Sequence, residues 1–237
     1  MEYKKLQLQP RLQLLADLVA DGSRVADIGT DHGYLPVHLL QAGRIPLAIA
    51  ADVGHEPLQH AVRTAEEYGV AGIDFRLCDG LRGISPQEVD TIVIAGMGGE
   101  TIIHILSAAD WTETPGRYTL LLQPMTKTGE LRRWLSDNGY RFTAERLVWD
   151  KDFLYPVMVV TGGEQHISGM EQEYGVCLAD DPLYGEFLDR QIAKLQRAAE
   201  GKCRSEKEDV RAEAQQMLQR CHILQKMREE WNNDHRP

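Results

Sequence analysis

This 237-residue sequence predicts an α/β fold: a mainly parallel sheet with helices on both faces, followed by an antiparallel helical hairpin. Three observations carry that prediction. Short apolar runs alternate with amphipathic stretches over the first two thirds of the chain, as when crossover helices join parallel strands. Some runs, such as Val89 to Ala95, are nearly continuous, the mark of a strand buried on both faces. Beyond about residue 182 the strand pattern stops, and apolar residues recur only at spacings of three and four.

Taken in order, a first helix from about Pro10 to Ala20 precedes the strand Val25–Ile28 and should pack beside any ligand pocket. The helix 35–42, the strand Ala48–Val53, the helix 56–68 and the strand Ile73–Leu77 follow. Next come the strand Thr91–Ala95, the helix 101–109, the strand Tyr118–Gln123 and the helix 128–138. The closing strands, Tyr140–Trp149 and Tyr155–Thr161, have no helix between them, which predicts an antiparallel hairpin at one sheet edge. Residues 1–165 thus make a Rossmann-like domain, long enough for a self-sufficient core. Gly162-Gly163, Ser168-Gly169 and Asp180-Asp181-Pro182 are breaker signals, so 166–181 reads as a linker. Residues 182–237 form the arm. Its stripes run Tyr184, Leu188, Ile192, Leu195, Ala199 and Val210, Ala214, Met217, Cys221, Leu224, Met227. Two such helices joined near Gly201 suit a coiled-coil hairpin.

The most informative segment is Val25 to Pro36, Val-Ala-Asp-Ile-Gly-Thr-Asp-His-Gly-Tyr-Leu-Pro. A strand ends in Asp27 and Gly29, a polar loop runs through Thr30, Asp31, His32 and Gly33, and a helix follows. Open α/β sheets bind nucleotide-like ligands at such a turn. The full Gly-x-Gly-x-x-Gly fingerprint is absent, because Asp31 and Tyr34 stand where it would continue. Asp27 and Asp31 would repel a phosphate. A ligand with a cationic centre and an amino group fits better, and S-adenosyl-L-methionine has a sulfonium, an α-amino group and no phosphate.

Further acids and glycines extend the ligand bed. Asp52 closes the second strand at a spacing that suits ribose hydroxyls. Asp79-Gly80, after the third strand, could meet the exocyclic amine of an adenine. Each acid alone also reads as a turn residue at a strand end. After the fourth strand, Ala95-Gly96-Met97-Gly98-Gly99 lets a planar or bulky group lie on the backbone, and no Lys-Ser or Lys-Thr follows to make a phosphate loop. The cofactor-binding set is therefore Asp27, Gly29, Thr30, His32, Gly33, Asp52, Asp79, Gly80, Ala95, Gly96 and Met97.

These motifs, with Leu122-Gln123-Pro124, resemble the bacterial tRNA (adenine-22-N1)-methyltransferase family from about Leu6 to about Trp231. The resemblance implies a class I methyltransferase fold, S-adenosyl-L-methionine as donor, and N1 of a tRNA D-loop adenine as acceptor. It aligns Asp31 with an acid of the family motif beside the expected methyl position, which makes it the candidate catalytic residue; the bland reading is a helix cap. Arg11 matches a family arginine and could hold an RNA phosphate, while Gln9 departs from the pattern. Gln123 and Pro124 could face the target base, but Met125 stands where the family shows Asn. Tyr34 and Tyr155 are candidates for stacking on a base, with buried packing as the alternative. The Asn/Asp-Pro-Pro-Tyr/Phe loop of amino-group methyltransferases is missing after the fourth strand, which favours a ring nitrogen as acceptor.

Charge and cysteines complete the reading. The net charge is −10, which argues against nonspecific nucleic-acid binding by the whole surface. From Asp181 onward there are 11 basic and 11 acidic residues, against 15 and 25 before it, so the arm is neutral on an acidic body. Arg190, Lys194, Arg197, Lys202 and Arg204 could form a basic strip for tRNA, or a solvated mixed-charge face. The arm could equally serve oligomerisation, and a monomer is slightly favoured. Four cysteines without paired or metal-ligand spacing, no signal peptide and no membrane-length apolar run predict a cytoplasmic protein without a metal site. Two other functions remain open: a methyltransferase of this fold acting on another RNA, a protein or a small molecule, and an inactive RNA-binding or scaffold protein.

Overall fold

The computed structural model describes residues 4–235. The outermost residues of the two expected domains, 1–3 and 236–237, lie outside that range. The chain divides into two compact units, Met1–Cys177 and Leu178–Pro237.

In the first unit, helix α1 (Pro10–Leu18) leads into strand β1 (Arg24–Ile28), α2 (Tyr34–Gln41), β2 (Leu47–Asp52), α3 (His55–Glu67) and β3 (Ile73–Leu77). Turns replace a helix before β4 (Thr91–Gly98), which is followed by α4 (Gly99–Ser107), β5 (Thr119–Thr126) and α5 (Thr128–Asp137). The closing strands are β6 (Tyr140–Asp150) and β7 (Phe153–Gly162). The seven strands lie in the order β3-β2-β1-β4-β5-β7-β6. The first five are parallel, whereas β7 runs antiparallel to both β5 and β6. The closing hairpin therefore folds back, and its second strand docks on β5 while its first becomes the edge.

Strand period sorts the core into two faces. Val25, Ala48, Val93 and Leu121 pack with Leu15, Ala16, Leu35 and Leu39 of α1 and α2. Their neighbours Ala26, Ile28, Ile92, Ile94, Leu120 and Leu122 pack on the opposite face with Ile102, Leu106, Leu131 and Leu135 of α4 and α5. Asp27, two residues after Val25, therefore shares the α1/α2 face. Strand order reverses between β1 and β4, and the carboxyl ends of those two strands make the crevice where ligands bind in open α/β sheets.

Two short elements escape the sequence pattern. A 3-10 turn spans Asp110–Glu113, and α6 (Gly169–Tyr174) lies inside the stretch read as a linker. Ser168 and Glu171 start α6 with reciprocal side-chain caps, which stabilises so short a helix.

In the second unit, α7 (Tyr184–Cys203) and α8 (Glu208–Asp234) pack against each other. The pairs Arg228–Asp189, Cys221–Ile192 and Lys202–Glu213 give the antiparallel sense. Every residue of the two predicted stripes is buried or half-buried. The junction falls just beyond Gly201: α7 runs through it to Cys203, and the chain turns at 204–207, where the Ser205 hydroxyl accepts the Lys207 N–H. One exposed helical glycine costs about 1 kcal/mol, little against a twenty-residue helix with a packed face. In the expected basic strip, Arg190 lies 3.9 Å from Glu186 and Lys202 pairs with Glu213.

Candidate active site

A cavity of about 540 Å3 opens at the β1/β4 crevice. Asp27 lines it from β1, Gly29, Thr30, Asp31 and His32 from the loop after it, Ala95 and Gly96 from β4, and Arg11 and Tyr34 from α1 and α2. The segment Leu6–Gln9, with Leu12, Leu35 and Tyr68, completes the wall. Of these, Leu35 belongs to the Val25–Pro36 segment and Leu8, Gln9 and Leu12 to the stretch around Arg11, while Leu6, Gln7 and Tyr68 have no motif signal.

The loop conformation follows from its glycines. Gly29 has φ +74°, and its amide donates to the Ala51 carbonyl at 2.8 Å. A Cβ there would overlap the Met97 methyl group, so the two loops touch across the crevice only because residue 29 is bare. Gly29→Ala is expected to cost about 1–2 kcal/mol through the left-handed backbone alone. The displaced Met97 should also weaken cofactor binding at least about tenfold, a contact cost of roughly 1.4 kcal/mol; thermal melting and calorimetric titration check the two effects separately.

Asp27 is buried, and its carboxylate accepts the Thr30 hydroxyl at 2.7 Å. Burial pushes its carboxyl up to about 6, the Thr30 hydrogen bond opposes the rise, and nearby Asp52 adds to it. Asp31 is exposed and holds φ +41°, a left-handed conformation that Asp tolerates better than most residues. It does not cap α2: Gly33 is the N-cap, and no side chain bonds the free amides.

Arg11 is held on both sides. Its Nη1 donates to the Gln123 Oε1 at 2.8 Å, and its Nε lies 3.2 Å from Asp150. Gln123 is fully buried; the same oxygen accepts the Gly96 amide at 3.1 Å, and its Nε2 donates to the Pro124 carbonyl. So Gln123 faces Arg11 and the glycine loop rather than the cavity, because the buried amide is satisfied only there. Pro124 is buried beside it, and Tyr155 lies near Phe153 on β7, away from the cavity wall. Asp150, which no motif marks, orients Arg11 together with Gln123.

A family model described as a methyltransferase domain matches residues 8–158. The chain is also 34% identical to the tRNA (adenine(22)-N(1))-methyltransferase of Bacillus subtilis over 189 residues, 79% of this chain and 77% of that one. The chain belongs to the tRNA (adenine-22-N1)-methyltransferase family. A solved Streptococcus pneumoniae structure, described as a putative tRNA (m1A22) methyltransferase, superposes with a TM-score of 0.83 at 30% identity, covering 93% of this chain and 99% of that one. A second structure of that protein, in complex with S-adenosyl-L-methionine, gives 0.78 at 31% identity, covering 90% and 97%.

The remaining cofactor candidates of this methyltransferase sit along the carboxyl edge of the sheet. Asp52 ends β2 and accepts the Gly54 amide at 2.7 Å; Asp79 follows β3 and pairs with Arg82 at 3.0 Å. Neither lines the cavity, nor do Gly33, Gly80 and Met97. Val53 and Leu77, beside the two acids, are 75% and 57% exposed. A buried carboxylate with no cationic side chain paired to it among the described residues, a bare-backbone loop and apolar side chains at the strand ends fit a cationic, adenine-bearing cofactor.

Asp31, His32 and His60 form the one candidate metal cluster among the described residues. The His32 and His60 rings stack with centroids 5.0 Å apart and planes within 8°. Among the described residues, no helix is long and apolar enough to cross a membrane.

Proposed function

We propose that this protein transfers the methyl group of S-adenosyl-L-methionine to N1 of adenine 22 in the D-loop of tRNA. The observation that carries this reading is the 34% identity to the Bacillus subtilis tRNA (adenine(22)-N(1))-methyltransferase over 79% of the chain. The cavity at the strand-order reversal is in keeping with it.

S-adenosyl-L-methionine, when bound, supplies a methyl carbon activated by a positively charged sulfur. Asp27 holds the cationic amino-acid end, while Asp52 accepts from ribose hydroxyls and Asp79 meets the adenine amine. Val53 and Leu77 flank the adenine, and Gly29 and Gly96 let the ligand approach the backbone. Thr30 orients Asp27 through its hydroxyl. N1 of the target carries a free lone pair, so no residue has to remove a proton before transfer. The chain supplies alignment and a water-poor pocket. Positive charge arrives on the base, and Asp31 stabilises it and accepts the N6 proton afterwards.

Arg11, braced by Asp150 and Gln123, presents its guanidinium edge to the RNA backbone. The helical hairpin of α7 and α8 extends the tRNA contact. We place the enzyme in the cytoplasm, in keeping with cysteines at 78, 177, 203 and 221 that form no disulfide.

Incubation with labelled S-adenosyl-L-methionine and unmodified bacterial tRNA, followed by nucleoside mapping, tests the reaction. N1-methyladenosine at position 22 is the expected product, and methylation elsewhere would overturn the assignment. Asp31→Asn keeps a residue that tolerates the left-handed backbone and removes only the charge. It is expected to lower kcat about 100-fold with cofactor affinity unchanged. An unchanged kcat would remove Asp31 from the chemistry.

A further inference from the structure

Next to Asp31 stands a column of three parallel rings. Tyr34 and His32 stack with centroids 5.1 Å apart and 14° between planes, and His32 and His60 stack at 5.0 Å and 8°. Tyr34 and His32 are on the cavity wall, and Tyr34 is 38% exposed. His60 reaches the column from α3, and its own place is set by close packing: a Cβ on Gly33 would stand 2.9 Å from the Ala61 Cβ. The bare backbone of Gly33 is what lets α3 come close enough for the rings to meet.

The Nδ1 of His60 is buried without a partner among the described residues, an arrangement that burial normally penalises. Its ring lies stacked against that of His32. His32 in turn backs Tyr34 and brings its Nε2 within 3.6 Å of the Asp31 carboxylate.

We propose that the Tyr34–His32–His60 column is a preformed stacking platform for the target adenine of the RNA. Tyr34 takes the base on its free face, and His32 and His60 are positioning residues behind it. The inference rests on the function proposed above and names the side chains that hold its substrate. An adenine drawn out of a folded RNA loses its stacking partners, and an aromatic face returns them. A lone Tyr at the first turn of α2 could rotate; a ring packed behind it fixes its plane. Asp31, beside the column, then lies at the edge of the stacked base, where charge arrives.

The test uses the full-length protein and a tRNA carrying 2-aminopurine at position 22, whose fluorescence is quenched by stacking. Wild type should quench it on binding. Tyr34→Leu, which keeps apolar volume without a flat ring, should abolish the quench and raise the KM for unmodified tRNA about 10- to 100-fold. His60→Ala should weaken the quench and raise that KM about 3- to 10-fold, with cofactor affinity unchanged. His60→Phe, which restores a ring without the unpartnered nitrogen, should recover most of both losses. A His60→Ala protein equal to wild type in quench and KM overturns the proposal, as does a His60→Phe protein no better than His60→Ala. A wild-type protein that forms no N1-methyladenosine at position 22 would instead sink the function itself.

Discussion

Asp27→Asn is expected to make the unliganded protein more stable while removing most of its affinity for S-adenosyl-L-methionine. The carboxyl is buried, and its pKa is raised to about 6, mainly by burial, with the Thr30 hydroxyl opposing and Asp52 reinforcing the shift. A raised folded-state pKa means that the native protein binds more protons than the unfolded chain between about pH 4 and pH 6. Stability from this group is therefore present at low pH and lost as pH rises through 6. At neutral pH the ionised side chain opposes folding by up to about 3 kcal/mol. Asn keeps an oxygen for the Thr30 hydroxyl and carries no charge. For a chain of this length the melting temperature should rise by a few degrees.

A cation bound beside Asp27 reverses the logic. It favours the ionised carboxylate, so binding lowers the Asp27 pKa and releases a proton when the free protein is protonated. Cofactor affinity should be flat above about pH 6.5 and fall towards tenfold per unit below 6. Calorimetry at pH 5.5 in buffers of different ionisation enthalpy should register the released proton. The Asn variant should bind about 100-fold more weakly or worse and show no proton release, because loss of a buried charge partner costs roughly 2–5 kcal/mol. Wild-type affinity that does not change between pH 7 and pH 5 would separate Asp27 from the cationic end of the ligand.

The sequence exposes Asp27 because its signal is local: strand, acid, bare turn and helix fall within twelve residues. The same holds for the strands and helices, whose apolar periods match the observed elements to within a few residues. What the pattern misses is set by partners far along the chain. Arg11 is visible in a motif, but Asp150 and Gln123, which brace it, lie 139 and 112 residues away and carry no motif that pairs them with it. His60 sits in an ordinary amphipathic helix, and only the Gly33–Ala61 approach brings it to the loop. Helix α6 is too short to show a period, and its caps alone announce it. That β7 rather than β6 docks on β5 depends on how the hairpin folds back, and alternation within a strand is silent on its neighbours.

Glu145→Ala should be the most damaging single change outside the cavity, because it strands a buried cation and two amides together. Arg132 and Glu145 are both fully buried, joined by Arg132 Nε to Glu145 Oε1 at 2.8 Å. The other carboxylate oxygen accepts the amides of Val176 and Cys177 at 2.5 and 3.0 Å. Arg132 Nη1 donates to the carbonyls of Gln172 and Glu173, while Nη2 has no partner among the described residues. The pair thus ties α5 and β6 to the backbone of residues 172–177, the last stretch of the first unit. Breaking a buried pair from one side typically costs 3–5 kcal/mol, a large share of the usual 5–15. Denaturant unfolding should show that loss at unchanged slope, and the Val176 and Cys177 amides should exchange faster with solvent. Glu145→Gln should be nearly as harmful, since an amide offers one acceptor where two are needed and leaves the guanidinium unopposed. Arg132→Met combined with Glu145→Gln should recover part of the loss, because the orphaned charge is gone while some backbone groups stay unpaired. Full recovery in the double variant would mean that charge alone matters. A loss below about 1 kcal/mol in Glu145→Ala would mean that water replaces the carboxylate, and that the tie to 172–177 is not structural.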